Sequence, residues 1–137
     1  MERTILHLSV PVRDLSEARA FYEAALGCRV GRVRDDWLDV WFFGLQLTLQ
    51  ERPDEVRPVE AQGVRHLGVV LEDWDEYEAL VERLERHGVD WLAPPTAHEA
   101  AELSGKTGAK LADPSGNVIE IKHYPDPSLF LGRLPER

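Results

Sequence analysis

The chain has 137 residues, of which 43% are apolar and 30% charged, with a formal net charge of −9. That describes one domain of ordinary size, or two small halves sharing a core, and it argues against nucleic acid or an anionic membrane surface as the main partner. One cysteine, Cys28, excludes an intrachain disulfide framework and fits a reducing compartment. No signal-peptide pattern opens the chain, and its most apolar stretch, residues 40–49, is too short to span a bilayer. A cytoplasmic protein is expected. The overall charge leaves room for a small anionic ligand, because a local cluster of arginines can override the total.

Residues 4–10 alternate as a strand, with Ile5, His7 and Ser9 on one face and Leu6, Leu8 and Val10 on the other. Asp14 is a good N-cap, and Glu17 stands three residues on, a capping-box spacing. Ala18, Phe21, Tyr22, Ala25 and Leu26 form one apolar helical stripe that Gly27 ends. Strands are expected over 28–34, 37–43 and 45–50, with a turn at Asp35-Asp36 and a break or bulge at Gly44. Residues 51–63 carry two prolines, several charges and no period, and read as a linker.

The pattern then restarts. Residues 64–71 form a strand with His66 at the matching place. Asp73 and Glu76 repeat the cap, Tyr77, Leu80, Val81 and Leu84 repeat the stripe, and His87-Gly88 repeat the stop. His7 and His66, Asp14 and Asp73, and Glu17 and Glu76 all lie 59 residues apart. Two copies at this length indicate a duplicated supersecondary unit. Further strands are expected over 89–93, 106–112 and 118–124, with a long loop at 94–105 and a strong turn at 113–117. The expected organisation is a first module over 4–51, a linker over 52–63, a second module over 64–124 and a tail over 125–137. Each module reads β-α-β-β-β. Eight strands and two helices then give an α+β fold, a curved mixed sheet with its helices on the convex side.

On this pattern His7, Gln46, His66 and Glu120 all project from the faces opposite the core leucines and isoleucines. Two imidazoles, a carboxylate and an amide oxygen, with positions left for water or substrate, suit a divalent metal such as iron, manganese, zinc, nickel or cobalt. His87 suits the helix C-terminus, His98 lies in a loop that can cover a site, and His123 faces away from Glu120. Trp37, Trp41 and Phe43 stand close to the expected ligand face in sequence.

The stretches His7-Leu8-Ser9-Val10-Pro11-Val12-Arg13-Asp14-Leu15, Phe21-Tyr22, Leu26-Gly27, His66-Leu67-Gly68-Val69 and Asp113-Pro114-Ser115-Gly116-Asn117-Val118-Ile119-Glu120 are similar to the vicinal oxygen chelate superfamily. That group holds glyoxalase I, extradiol dioxygenases, methylmalonyl-CoA epimerase, fosfomycin-resistance enzymes and bleomycin-resistance proteins. The resemblance implies paired βαβββ modules forming a cup around a metal, with ligands from the first and last strand of each module. Those positions are His7, Gln46, His66 and Glu120, a set that resembles methylmalonyl-CoA epimerase. Bacterial glyoxalase I has a carboxylate where Gln46 stands.

The resemblance also implies a homodimer and a small-molecule substrate chelated through vicinal oxygens by a Lewis-acidic metal. Glu120 is the expected catalytic group, as ligand or, once detached, as base. Gln46 does not titrate usefully and takes no such role. The implied activity is that of a lyase, isomerase or dioxygenase. The alternative is a metal-free protein that binds an antibiotic or metabolite, as bleomycin-resistance proteins do.

Overall fold

The computed structural model describes residues 3–96 and 107–124. Hydrogen bonding arranges the eight strands in two mixed sheets of four, and the two sheets have the same internal order. In the first, β1 (His7–Val12), β2 (Arg29–Val33), β3 (Trp37–Phe42) and β4 (Leu45–Glu51) run in the order β1-β4-β3-β2. In the second, β5 (Leu67–Leu71), β6 (Trp91–Ala93), β7 (Thr107–Ala112) and β8 (Val118–His123) run in the order β5-β8-β7-β6. Each sheet pairs its first and last strands in parallel, β1 with β4 and β5 with β8. A parallel pair needs a crossover, and a helix supplies it in each module. The duplicated βαβββ plan is therefore present.

The first crossover helix, α1 (Leu15–Arg19), continues into a wider π-helical turn over Ala20–Ala25. Asp14 caps it by accepting the Glu17 N–H at 2.8 Å. The capping box stays half made, because the Glu17 carboxylate turns to the Arg13 guanidinium, with Nε at 2.7 Å. The second helix, α2 (Trp74–Arg86), is capped by Asp73, which accepts the Asp75 N–H at 2.8 Å. His87 ends it, with Nδ1 2.8 Å from the Arg83 carbonyl. Ala18, Tyr22, Ala25 and Leu26 are buried, as are Tyr77, Leu80 and Leu84. The expected stripes face inward, α1 towards β4 and α2 towards β5.

The break expected at Gly44 is a two-residue hairpin turn between β3 and β4: Phe43 and Gly44 both take positive φ, 50° and 90°, as a tight turn between right-twisted strands requires. One expectation about local structure changes. The histidines do not sit in mid-strand. His7 is the first residue of β1, and His66 precedes β5 by one residue. The β5 ladder begins at Leu67, opposite Ile119, and leaves His66 just outside it.

The chain forms two compact units, 1–66 with 112–118, and 67–111 with 119–137. The turn at 113–117 belongs to the first unit, and its hydrogen bonds explain why. The Asp113 carboxylate accepts from the Tyr22 hydroxyl at 2.8 Å, the Asn117 side-chain amide at 2.8 Å, and the Ser115 and Asn117 backbone N–H groups at 2.8 and 2.9 Å. Ser115 Oγ accepts the Arg13 N–H, and the Asn117 amide also donates to the Pro11 carbonyl. The linker joins in through Gln62, whose amide donates to the Gly116 carbonyl at 3.1 Å. The linker itself holds two short 3-10 turns, Pro53–Glu55 and Val59–Ala61. Cys28 is buried. No helix among the described residues is long and apolar enough to cross a membrane.

Candidate functional site

In the first unit, strand register sets which side chains share a face. His7 pairs with Gln46 and Ser9 with Thr48 across β1 and β4. Trp41 pairs with Gln46, Asp39 with Thr48 and Trp37 with Gln50 across β3 and β4. Side chains of directly paired residues point the same way, so these eight occupy one face. The other face is the core, where Val12, Leu38, Val40, Phe42, Leu47 and Leu49 are all buried. His7 and Gln46 are thus brought side by side on the polar face. A recess of about 260 Å³ opens beside His7, lined by Ser9, Arg32, Trp37, Thr48 and Gln50.

Asp39 is a buried carboxylate on this face that sequence reasoning missed. It is 2% exposed, and a buried carboxylate needs partners. Arg32 Nε donates to Oδ2 at 2.8 Å and Thr48 Oγ1 to Oδ1 at 2.7 Å, with Gln46 Nε2 at 3.5 Å from Oδ2. The last contact orients the Gln46 amide: with its NH₂ turned to Asp39, Oε1 is the atom left to accept or ligate. The signal lay in the alternation Trp37-Leu38-Asp39-Val40-Trp41, where a charge between two tryptophans falls on the strand face opposite the core. Gln46→Glu sets a second carboxylate against Asp39 and removes a donor from it. We expect a loss of about 1–3 kcal/mol in urea unfolding; an unchanged midpoint would show that Asp39 does not sense this position.

In the second unit, Glu120 is buried on β8 opposite Gly68 of β5. Its Oε1 lies 3.0 Å from Lys122 Nζ and its Oε2 3.5 Å from Lys110 Nζ. The hydrogen bond to Glu120 holds the Lys122 ammonium above the ordinary lysine range, against the opposing effect of burial. Glu120 also borders a recess of about 220 Å³ with Ala93, Pro94, Thr96, Gly108 and Lys110. Ile119 and Ile121 are buried on the other face, as the alternation predicts. His123 is buried on that core side too, 3.0 Å from the Leu71 carbonyl and packed edge-on against Trp74.

His66 is exposed at the end of the first unit, with Nδ1 2.8 Å from the Val64 carbonyl. Donation from Nδ1 puts the imidazole lone pair on Nε2, the usual arrangement of a metal-binding histidine. Among the described residues no three His, Cys, Asp or Glu side chains form a group able to hold a metal ion. The donor types, two imidazoles, an amide oxygen and a carboxylate, nevertheless suit a divalent cation, and the Gln46 amide faces Asp39 through its nitrogen, with its oxygen on the other side. At Glu120 a cation has to compete with two ammonium groups. His98 lies outside the described residues.

Residues 4–121 match the Glyoxalase/Bleomycin resistance protein/Dioxygenase superfamily. No curated protein gives a significant match. Among solved structures, the chain is similar to a glyoxalase/bleomycin resistance protein/dioxygenase from Alicyclobacillus acidocaldarius, with 28% identity, a TM-score of 0.78, and 93% of this chain and 96% of that one covered. It shares its fold with a glyoxalase/dioxygenase from Nostoc punctiforme, at 18% identity, a TM-score of 0.70 and 90% and 92% coverage. It shares it also with the fosfomycin resistance protein FosX from Listeria monocytogenes, at 17% identity, a TM-score of 0.69 and 90% and 94% coverage. With the duplicated βαβββ plan and a match over nearly its whole length, the chain belongs to the glyoxalase/bleomycin resistance/dioxygenase superfamily.

Proposed function

We propose that the protein is a divalent-metal-dependent lyase, isomerase or dioxygenase acting on a small molecule with vicinal oxygens. The observation that carries this is the pairing of His7 with Gln46 on the polar face of the first sheet, beside a recess of ligand size. His7 and His66 would hold the metal through imidazole nitrogen, Gln46 through its amide oxygen and Glu120 through its carboxylate. When bound, the cation supplies Lewis-acid polarisation of the substrate oxygens.

The chain's own groups divide the remaining work. Glu120 is the group able to take up or return a proton at a carboxylate oxygen, and Lys122 and Lys110 balance its charge and hold both oxygens in place. Asp39, buried, holds the Arg32 side chain and faces the Gln46 amide. The protein is expected to act as a homodimer in the cytoplasm.

The test is metal content by mass spectrometry on protein purified without an affinity metal, beside His7→Ala and Glu120→Ala. We expect near-stoichiometric metal in the wild type and a loss of at least about tenfold in affinity in each variant. A wild type that takes up none of iron, manganese, zinc, nickel or cobalt would leave the second reading. In that reading the protein is a metal-free binder of small molecules, favoured by Trp37 lining the recess and by the two lysines on Glu120.

A further inference from the structure

We propose that the recess beside His7 is a carboxylate-binding site and that Arg32 is its anchor, so that the protein's ligand is a small organic anion. The inference names the ligand class of the site proposed above, and so rests on the His7 face being the ligand face; it does not depend on a metal.

The argument starts from how Arg32 is held. Asp39 is buried, with its side chain only 3% exposed, whereas the Arg32 side chain is 60% exposed. The ion pair therefore runs from the sheet surface outward. Asp39 takes the inner Nε at 2.8 Å. Among the described residues the two outer Nη groups have no hydrogen-bond partner, and Arg32 lines the recess. Trp37 supports the guanidinium from the side, its ring centroid 5.0 Å from the Arg32 Cζ.

A guanidinium fixed through Nε and braced on an indole has lost most of its rotamer freedom before any ligand arrives. Its remaining edge is a planar pair of donors whose spacing matches a carboxylate. Ser9, Thr48 and Gln50 supply neutral hydrogen-bonding groups around that edge. Ser9 and Gln50 are already joined, the Gln50 amide donating to Ser9 Oγ at 2.5 Å.

Charge points the same way. The chain carries a net −9, yet Arg29, Arg32 and Arg34 lie on or beside β2, and the Arg34 guanidinium is also over Trp37, at 5.5 Å. Asp39 neutralises only one of these charges. Arg32 is the arginine that lines the recess, and with Arg29 and Arg34 on or beside the same strand the local charge favours an anion there over a cationic ligand.

The test uses full-length protein dialysed against chelator, with benzoate as the anionic probe and benzyl alcohol as its neutral counterpart. Binding is followed by nuclear magnetic resonance at the Arg32 Nε–H, which the Asp39 hydrogen bond protects from exchange, and by calorimetry. Benzoate is expected to shift the Arg32 resonance and to bind at least about tenfold more tightly than benzyl alcohol. Arg32→Gln, whose amide can still donate to Asp39, is expected to lose at least about tenfold in benzoate affinity, and Arg34→Gln less than about threefold. Equal binding of the two probes, no shift at Arg32, or benzoate affinity in Arg32→Gln within threefold of wild type would each overturn the proposal. The wild-type resonance shift decides the matter even if Arg32→Gln fails to fold. Because no metal is present, a negative result here leaves the metal reading standing, and failed metal uptake leaves this one standing.

Discussion

Asp113→Ala is expected to lower the unfolding free energy by about 3–5 kcal/mol, enough to leave a domain of this size marginal. The carboxylate is 4% exposed and gathers four donors. Alanine leaves the Tyr22 hydroxyl, two backbone N–H groups and one of the two Asn117 amide hydrogens (the other still meets the Pro11 carbonyl) buried without an acceptor, at about 1–3 kcal/mol each before relaxation. Tyr22→Phe removes one donor and keeps the acceptor, and is expected to cost only about 1 kcal/mol. Urea unfolding of the three proteins checks the ranking; near-equal midpoints for Asp113→Ala and wild type would mean that the turn does not hold the first unit together.

The effect should also depend on pH. Burial raises the Asp113 carboxyl above the ordinary carboxylate range, outweighing the hydrogen bonds from Asn117, Tyr22 and Ser115 that pull it down. A group with a raised folded value contributes stability that is fully present below the unfolded value and is lost as pH rises through the folded one. The difference between wild type and Asp113→Ala should therefore be larger near pH 4 than at pH 7.

The second large effect is expected at Gly68. A β-carbon built there runs into the carbonyl oxygen of Glu120 and lies 3.2 Å from its carbonyl carbon. Both atoms are backbone, so no side chain can swing aside. Gly68→Ala must push β5 and β8 apart where Gly68 pairs with Glu120, at about 2–4 kcal/mol. Gly108→Ala is the control in the same sheet: its β-carbon meets only the Ile121 carbonyl oxygen, at 3.6 Å, an ordinary contact. Hydrogen exchange read along β8, with urea midpoints, should show a local loss at Glu120 in the first variant and little change in the second. Equal behaviour of the two would show that the strands separate at no cost.

What the sequence made legible was what local chemistry decides. The Asp14 and Asp73 caps, the two apolar stripes and the eight strands rest on residues a few positions apart, and each is present; the core face read for the first strand is not, since Leu6 and Leu8 are exposed. The strand ends were less legible, because the start of β5 is set by β8, some fifty residues on. The Asp39 network was hidden for a related reason. Its partners Arg32, Gln46 and Thr48 come from two other strands, β2 and β4, and only the register places them around one carboxylate. The Asp113 cluster was more distant still, since Tyr22 and Asp113 stand 91 residues apart. For the candidate ligands, alternation was enough to put His7 and Gln46 on one face, but it carried no sign of the lysines that hold Glu120.

The first unit is not one continuous stretch of chain: residues 112–118 complete it after the polypeptide has gone on to build most of the second. During synthesis, the Tyr22 hydroxyl and the Arg13 backbone N–H wait for acceptors that leave the ribosome about ninety to a hundred residues later. Until then those donors have only water to bond to, and the corner they build cannot close. It reaches its final form only when the strand that bears Glu120 begins to appear, so the maturation of the two halves is coupled in time.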